Sequence, residues 1–145
     1  MAYDMILKSN GNYVAIEIKD NTNRISNDYW DGNWLKSLIN IHCCGFKANF
    51  STDLRSTDFK SFHEDLIKLC NDQVKLIEFK TLEEGLYIKG QMEATGNILW
   101  DVTAKDMFGN SLTVSLSTDN FSLNLLINEV KDILTQYPVL GDSKI

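Results

Sequence analysis

The feature that most constrains the fold is a two-residue rhythm of apolar side chains, broken at short intervals by Gly, Asn and Asp. In a strand, successive side chains point to opposite faces, so this rhythm specifies strands with one buried face. Val14, Ile16 and Ile18 point one way, while Tyr13, Glu17 and Lys19 point the other. Ile39, Ile41 and Cys43 share a face opposite Lys36, Asn40 and His42, and Phe46, Ala48 and Phe50 alternate with Lys47, Asn49 and Ser51. Gly45 lies between those two runs, where a left-handed turn costs a glycine least. A short first strand near Met5 to Lys8 joins the second through a turn at Gly11-Asn12.

The second half keeps the rhythm more regularly. Ile77 and Phe79 precede a turn at Glu83-Glu84-Gly85, and Leu86, Ile88 and Met92 follow it. After Ala94-Thr95-Gly96-Asn97 come Ile98, Trp100, Val102 and Ala104, and after Phe108-Gly109-Asn110 come Leu112, Val114 and Leu116. Connections this short suit antiparallel neighbours, because a parallel pair needs a crossover of a dozen or more residues. The segment from about Lys75 to Thr118 therefore reads as a four-stranded meander.

Two stretches change to helical spacing. Phe59, Phe62, Leu66 and Leu69 form one stripe, with Ser56-Thr57-Asp58 ahead of it to supply capping oxygens. Leu123, Leu126, Ile127, Val130, Ile133 and Leu134 form the other, starting near Asp119 or Asn120 and ended by Pro138. The expectation is an α+β fold: one domain over residues 1–145, with a largely antiparallel sheet of seven or eight strands. The two amphipathic helices cover its apolar face. No sequence repeat or linker stands out.

Chemistry is harder to find. The run His63-Glu64-Asp65-Leu66-Ile67 opens like a zinc-protease helix, but Ile67 stands where the second histidine ligand would be. His42, Cys43 and Cys44 offer zinc ligands without a second pair at tetrahedral-site spacing, and alternation turns Cys43 away from the other two. Three cysteines, two of them adjacent, are an odd set for a disulfide scaffold and read as reduced, mostly buried thiols. Neither phosphate-cradling glycine motif occurs. No catalytic residue, metal site or cofactor is expected. Asp119 is better explained as a helix cap than as a base.

Net charge is −6, with 20 acidic residues against 14 basic ones. That disfavours nucleic acid and anionic membrane as main partners, since both need clustered Lys and Arg. The first residues lack a basic start and an apolar run, and no stretch approaches the ~20 apolar residues needed to cross a bilayer, so a cytoplasmic location is expected. Between Ile77 and Asp106, six acidic residues face three lysines; Glu83, Glu84, Asp101 and Asp106 are the candidates for a partner-binding patch. Tyr29, Trp30 and Trp34 cluster in a loop rich in Asp, Asn and Gly. Trp34 opens an alternating segment and is expected to anchor the core. Tyr29 and Trp30 fit either the core or, if exposed, a binding hot spot.

From Tyr29 to Gly141 the order of segments resembles the WapI-type immunity proteins, antidotes to contact-dependent toxins of bacteria. The resemblance runs through Asp31-Gly32-Asn33-Trp34-Leu35, Phe46-Lys47-Ala48-Asn49-Phe50 and the Asp58–Leu69 helix. It ends on Asp119-Asn120-Phe121-Ser122-Leu123 and Tyr137-Pro138-Val139-Leu140-Gly141. The family usually carries an aspartate directly before the tryptophan and an aspartate-glutamine-threonine start to the last helix; here stand Asn33 and Asn120-Phe121. The resemblance implies a non-enzymatic inhibitor that binds the toxin domain of a sibling cell's effector. Such toxins are often nucleases with basic surfaces, which an acidic antidote suits. A small enzyme, or a ligand-binding domain with its site inside a curved sheet, are the alternatives. A monomer or a weak homodimer is compatible with the pattern, since an exposed edge strand can pair two copies.

Overall fold

A computed structural model describes residues 3–21 and 32–141. The elements run β1 (Met5–Ser9), β2 (Asn12–Asn21), β3 (Trp34–Cys43), β4 (Phe46–Arg55), α1 (Ser56–Cys70), β5 (Leu76–Phe79), β6 (Leu86–Met92), β7 (Ile98–Lys105), β8 (Ser111–Thr118) and α2 (Asn120–Gln136). The class is α+β and all strand pairing is antiparallel. The strands form two sheets rather than one, in the orders β1-β2-β3-β4 and β5-β6-β7-β8. The chain thus lays down the same unit twice: four strands in sequence, then a helix. No sequence repeat announces this, because the two units share a pattern of polarity rather than residues.

Both units contribute to a single core. Each helix leans on the first strand of the other unit: α1 packs on β5 and α2 on β1, the helices touch each other, and β1 lies beside β8. Burying both apolar sheet faces and both helix stripes against one another removes from water what neither half could bury alone. At the centre Phe79 meets Phe59 and Phe62 with ring centroids 5.4 and 5.2 Å apart, and Phe62 meets Trp100 at 6.4 Å. The Trp100 indole N–H donates to the Thr118 hydroxyl at 2.8 Å, which satisfies its one polar atom inside the core. Trp100 stands opposite Gly90 across the β6–β7 ladder. A Cβ built on Gly90 would come within 2.5 Å of the indole ring, so the missing side chain makes room for the tryptophan.

Local details correct several expectations. The first hairpin turns at Asn10-Gly11, both at positive φ (52° and 84°), rather than at Gly11-Asn12, because Ser9 and Asn12 already pair. In the β3–β4 turn it is Cys44, not Gly45, that takes the left-handed conformation (φ 54°), with its amide held by Asn12 Oδ1 at 2.9 Å. Helix α1 is capped through Asp58, whose carboxylate accepts the Arg55 amide at 2.9 Å; the Ser56 and Thr57 hydroxyls are buried without a partner among the described residues. Asp119 caps α2 as expected, accepting the Ser122 amide at 2.8 Å. Trp34 is half-buried on the face away from the core, with the Arg55 guanidinium 5.5 Å from its ring centroid, while Leu35 is the core residue. Of the thiols only Cys43 is buried; Cys44 and Cys70 are exposed.

A further tie fastens the segment after α2 to the middle of the chain. Asn33 is fully buried, and its amide donates to the Leu140 carbonyl at 3.0 Å while its side-chain oxygen accepts the Leu140 amide at 2.8 Å. Its own carbonyl takes the Ser56 amide at 2.9 Å. One asparagine thereby fastens the chain after α2 to the entrances of β3 and α1. An aspartate here would keep only the accepting half of that pair.

Candidate partner-binding surface

The four acidic candidates separate once the sheets are formed. Glu83, Glu84 and Asp106 come together at one end of the β5–β8 sheet, because the β5–β6 loop and the β7–β8 hairpin leave that sheet on the same side. The Lys105 amide donates to the Gly85 carbonyl at 3.0 Å, joining the two connections. Asp101 lies instead in mid-strand on the outer face, opposite Lys89, and accepts the Ser115 hydroxyl at 2.5 Å. That bond ties β7 to β8 on a polar face and leaves Asp101 outside the loop cluster. Tyr29 and Trp30 lie outside the described residues.

The hairpin is built to present apolar side chains to water. Asp106 accepts the amides of Phe108 and Asn110, each at 2.9 Å, and the Asn110 side-chain amide at 2.9 Å. Those donors, the Asn110 side chain first, hold its carboxyl below the ordinary value. Gly109 closes the turn at φ 87°. Between these fixed points Met107 and Phe108 are 89% and 84% exposed, and Leu82 in the neighbouring loop is 65% exposed. That loop is pinned as well, by the Glu84 amide donating to Thr81 O at 3.2 Å and by the Thr81 hydroxyl donating to Leu86 O at 3.3 Å.

The result is three exposed apolar residues on two hydrogen-bonded connections at one end of the sheet, which also carry Glu83, Glu84 and Asp106, with Lys80 and Lys105 beside them. Solvated, such residues gain nothing from exposure; covered by a partner, they bury apolar area at little further entropic cost. Sequence reasoning found the acidic residues and missed Leu82, Met107 and Phe108. The available signal was Met-Phe between Asp106 and Gly109-Asn110, where turn residues leave no sheet face to receive them.

Among the described residues no three His, Cys, Asp or Glu side chains meet in a metal-binding arrangement. His42 lies edge-on to Tyr13 at 5.6 Å between ring centroids, on the outer face of the first sheet. Asp58 has its carboxyl pushed up to about 6 by burial, against the opposing pull of its bond to the Arg55 amide and of the Arg55 charge. Its engagement with the Arg55 amide is a helix-capping role. A cleft of about 310 Å³ between β1 and α2 is lined by Ile6, Leu123, Leu126 and Glu129 among others, and Glu129 spends a carboxylate oxygen on the Ile6 amide at 3.3 Å. Burial raises the Glu129 carboxyl above its ordinary value. No helix among the described residues is long and apolar enough to cross a membrane.

Comparison with known proteins bears on fold and family separately. No curated protein matches the chain. Crystal structures of Trypanosoma bruciei MRP1/MRP2 superpose with a TM-score of 0.51 at 7% identity, covering 88% of this chain and 76% of theirs. A guideRNA-binding protein complex bound to a gRNA superposes with a TM-score of 0.50 at 8% identity, covering 88% and 81%. Identity this low makes the likeness one of fold alone. The sequence itself matches the WapI-like immunity protein family over residues 5–138, from the first strand to the proline after the last helix, and the chain belongs to that family.

Proposed function

We propose that this protein binds a cognate toxin domain in the cytoplasm and neutralises it by occlusion, without catalysis. The observation that carries the reading is membership of the immunity family across both four-strand-plus-helix units. The β5–β6 and β7–β8 connections supply the contact: Met107, Phe108 and Leu82 as apolar anchors, with Glu83, Glu84 and Asp106 as the charged rim. A net charge of −6 favours a basic partner, such as a nuclease toxin, and raises the encounter rate. The RNA bound by the fold neighbour is not carried over, because an acidic chain lacks the cation supply that backbone binding needs.

The test is coexpression with a candidate cognate toxin domain, followed by measurement of binding. Protection of cells and a complex at micromolar concentration or below are expected. Phe108→Ala should raise the dissociation rate at least tenfold, as an anchor does, and leave melting unchanged. Reversing Glu83 and Glu84 to lysine should slow association, more at 20 mM salt than at 200 mM. No protection and no complex would refute the immunity reading. Protection with both the Phe108→Ala variant and the Glu83/Glu84 reversal binding like wild type would refute this surface only.

A further inference from the structure

The edges of the two sheets are treated differently. β1 and β8 lie against each other with α2 on β1, and β5 is covered by α1. The remaining edge belongs to β4, ten residues long, pairing only with β3 among the described residues and in unbroken register. It contains no proline or bulge, two of the devices that blunt an edge, and its charges are Lys47, Asp53 and Arg55. Along it Phe46 is 65% exposed, Phe50 is partly buried against the core, Thr52 packs against Gly85, and only Leu54 and Arg55 at its end are buried.

We propose that β4 pairs antiparallel with the β4 of a second copy, joining two four-stranded sheets into one of eight strands across a twofold axis at Phe50. The sequence of the strand selects both the occupant and the register. With Phe50 opposite its own copy, Lys47 of each chain faces Asp53 of the other, Asn49 faces Ser51, and Phe46 faces Leu54. Sliding the pairing by one step to either side sets Lys47 against Ser51, or against Arg55, and loses both charge pairs. A strand that complements itself in one register, and keeps core-side residues opposite core-side residues throughout, has the symmetry a twofold interface requires. The proposal stands apart from the immunity reading, since it concerns the protein alone.

Sedimentation of the purified protein from 5 to 500 µM tests it. A concentration-dependent monomer–dimer equilibrium is expected. Lys47→Asp sets like charges opposite each other at both symmetry-related positions and should raise the dissociation constant about tenfold or more, and Asp53→Lys likewise. The double change Lys47→Asp with Asp53→Lys should restore dimerisation to within about threefold of wild type, an outcome that simple damage to the fold would not produce. A wild-type protein that stays monomeric to 500 µM overturns the proposal. Single and double variants dimerising equally would also overturn it. A monomer whose β4 amides gain exchange protection only when toxin is added would assign the edge to the toxin instead, and so refute self-pairing.

Discussion

Replacing Asn33 by aspartate isolates a single donor at the point where the chain's end is fastened to its middle. The side chain is fully buried and makes two bonds with Leu140, one donated at 3.0 Å and one accepted at 2.8 Å. Asn33→Asp preserves shape and the accepting bond, removes the donated bond, and sets a carboxylate oxygen against a carbonyl oxygen. Leaving the part-buried Leu140 carbonyl without its donor costs ~1–3 kcal/mol, and the charge placed at the fully buried Asn33 position adds to it, so a loss of about 2–4 kcal/mol at pH 7 is expected. For a chain of this size that lowers the melting temperature by about 6–15 °C. The introduced carboxyl should have its folded pKa raised above the unfolded ~3.9 by burial beside Leu140 O. Its penalty is therefore complete above the folded value and shrinks as pH falls towards 3.9, where the protonated group can donate again. Thermal melts of variant and wild type, compared at each pH between 4 and 8, measure the difference directly. A variant within about 0.5 kcal/mol of wild type at pH 7 would refute the clasp; so would a deficit that does not change with pH.

Three further outcomes are expected. Asp58 is raised from 3.8 to about 6 on folding, so the native state holds its proton more tightly than the unfolded chain does. Its contribution is then most favourable below about 3.9 and declines until pH 6, by at most about 3 kcal/mol; Asp58→Asn should remove that slope from a wild-type-minus-variant plot of denaturant stability. Gly90→Ala drives a methyl group to 2.5 Å from the Trp100 ring and should cost about 1–3 kcal/mol, with a change in near-ultraviolet circular dichroism. Trp100→Phe leaves Thr118 Oγ1 without its indole donor and opens a small cavity; chemical denaturation should show a loss of about 1–3 kcal/mol.

How far the molecule was legible differs from element to element. The alternation of Ile98, Trp100, Val102 and Ala104 identified both the strand and its buried face, because a pleated ribbon leaves a side chain only two directions. The stripes of α1 and α2 were equally plain, and so was the meander from β5 to β8. Capping at Ser56 and Thr57 was misread, since local composition does not say which of three adjacent oxygens will face the free amide; backbone geometry chose Asp58. Trp34 was misread for a related reason: size suggests burial, but register put it opposite Arg55 on the outer face and sent Leu35 inward.

What the residues determined unaided was therefore local: strands, helices, turns, and which side of each element avoids water. Their polarity patterns repeat every two or every three to four positions, and a pattern that short says nothing about which sheet a strand joins. The division into two sheets, the exchange of helices between units, the Asn33–Leu140 fastening and the gathering of Glu83, Glu84 and Asp106 beside Leu82, Met107 and Phe108 are tertiary. Each depends on residues far apart in the chain competing for the same buried space, and that competition is resolved only when all the apolar faces are packed at once.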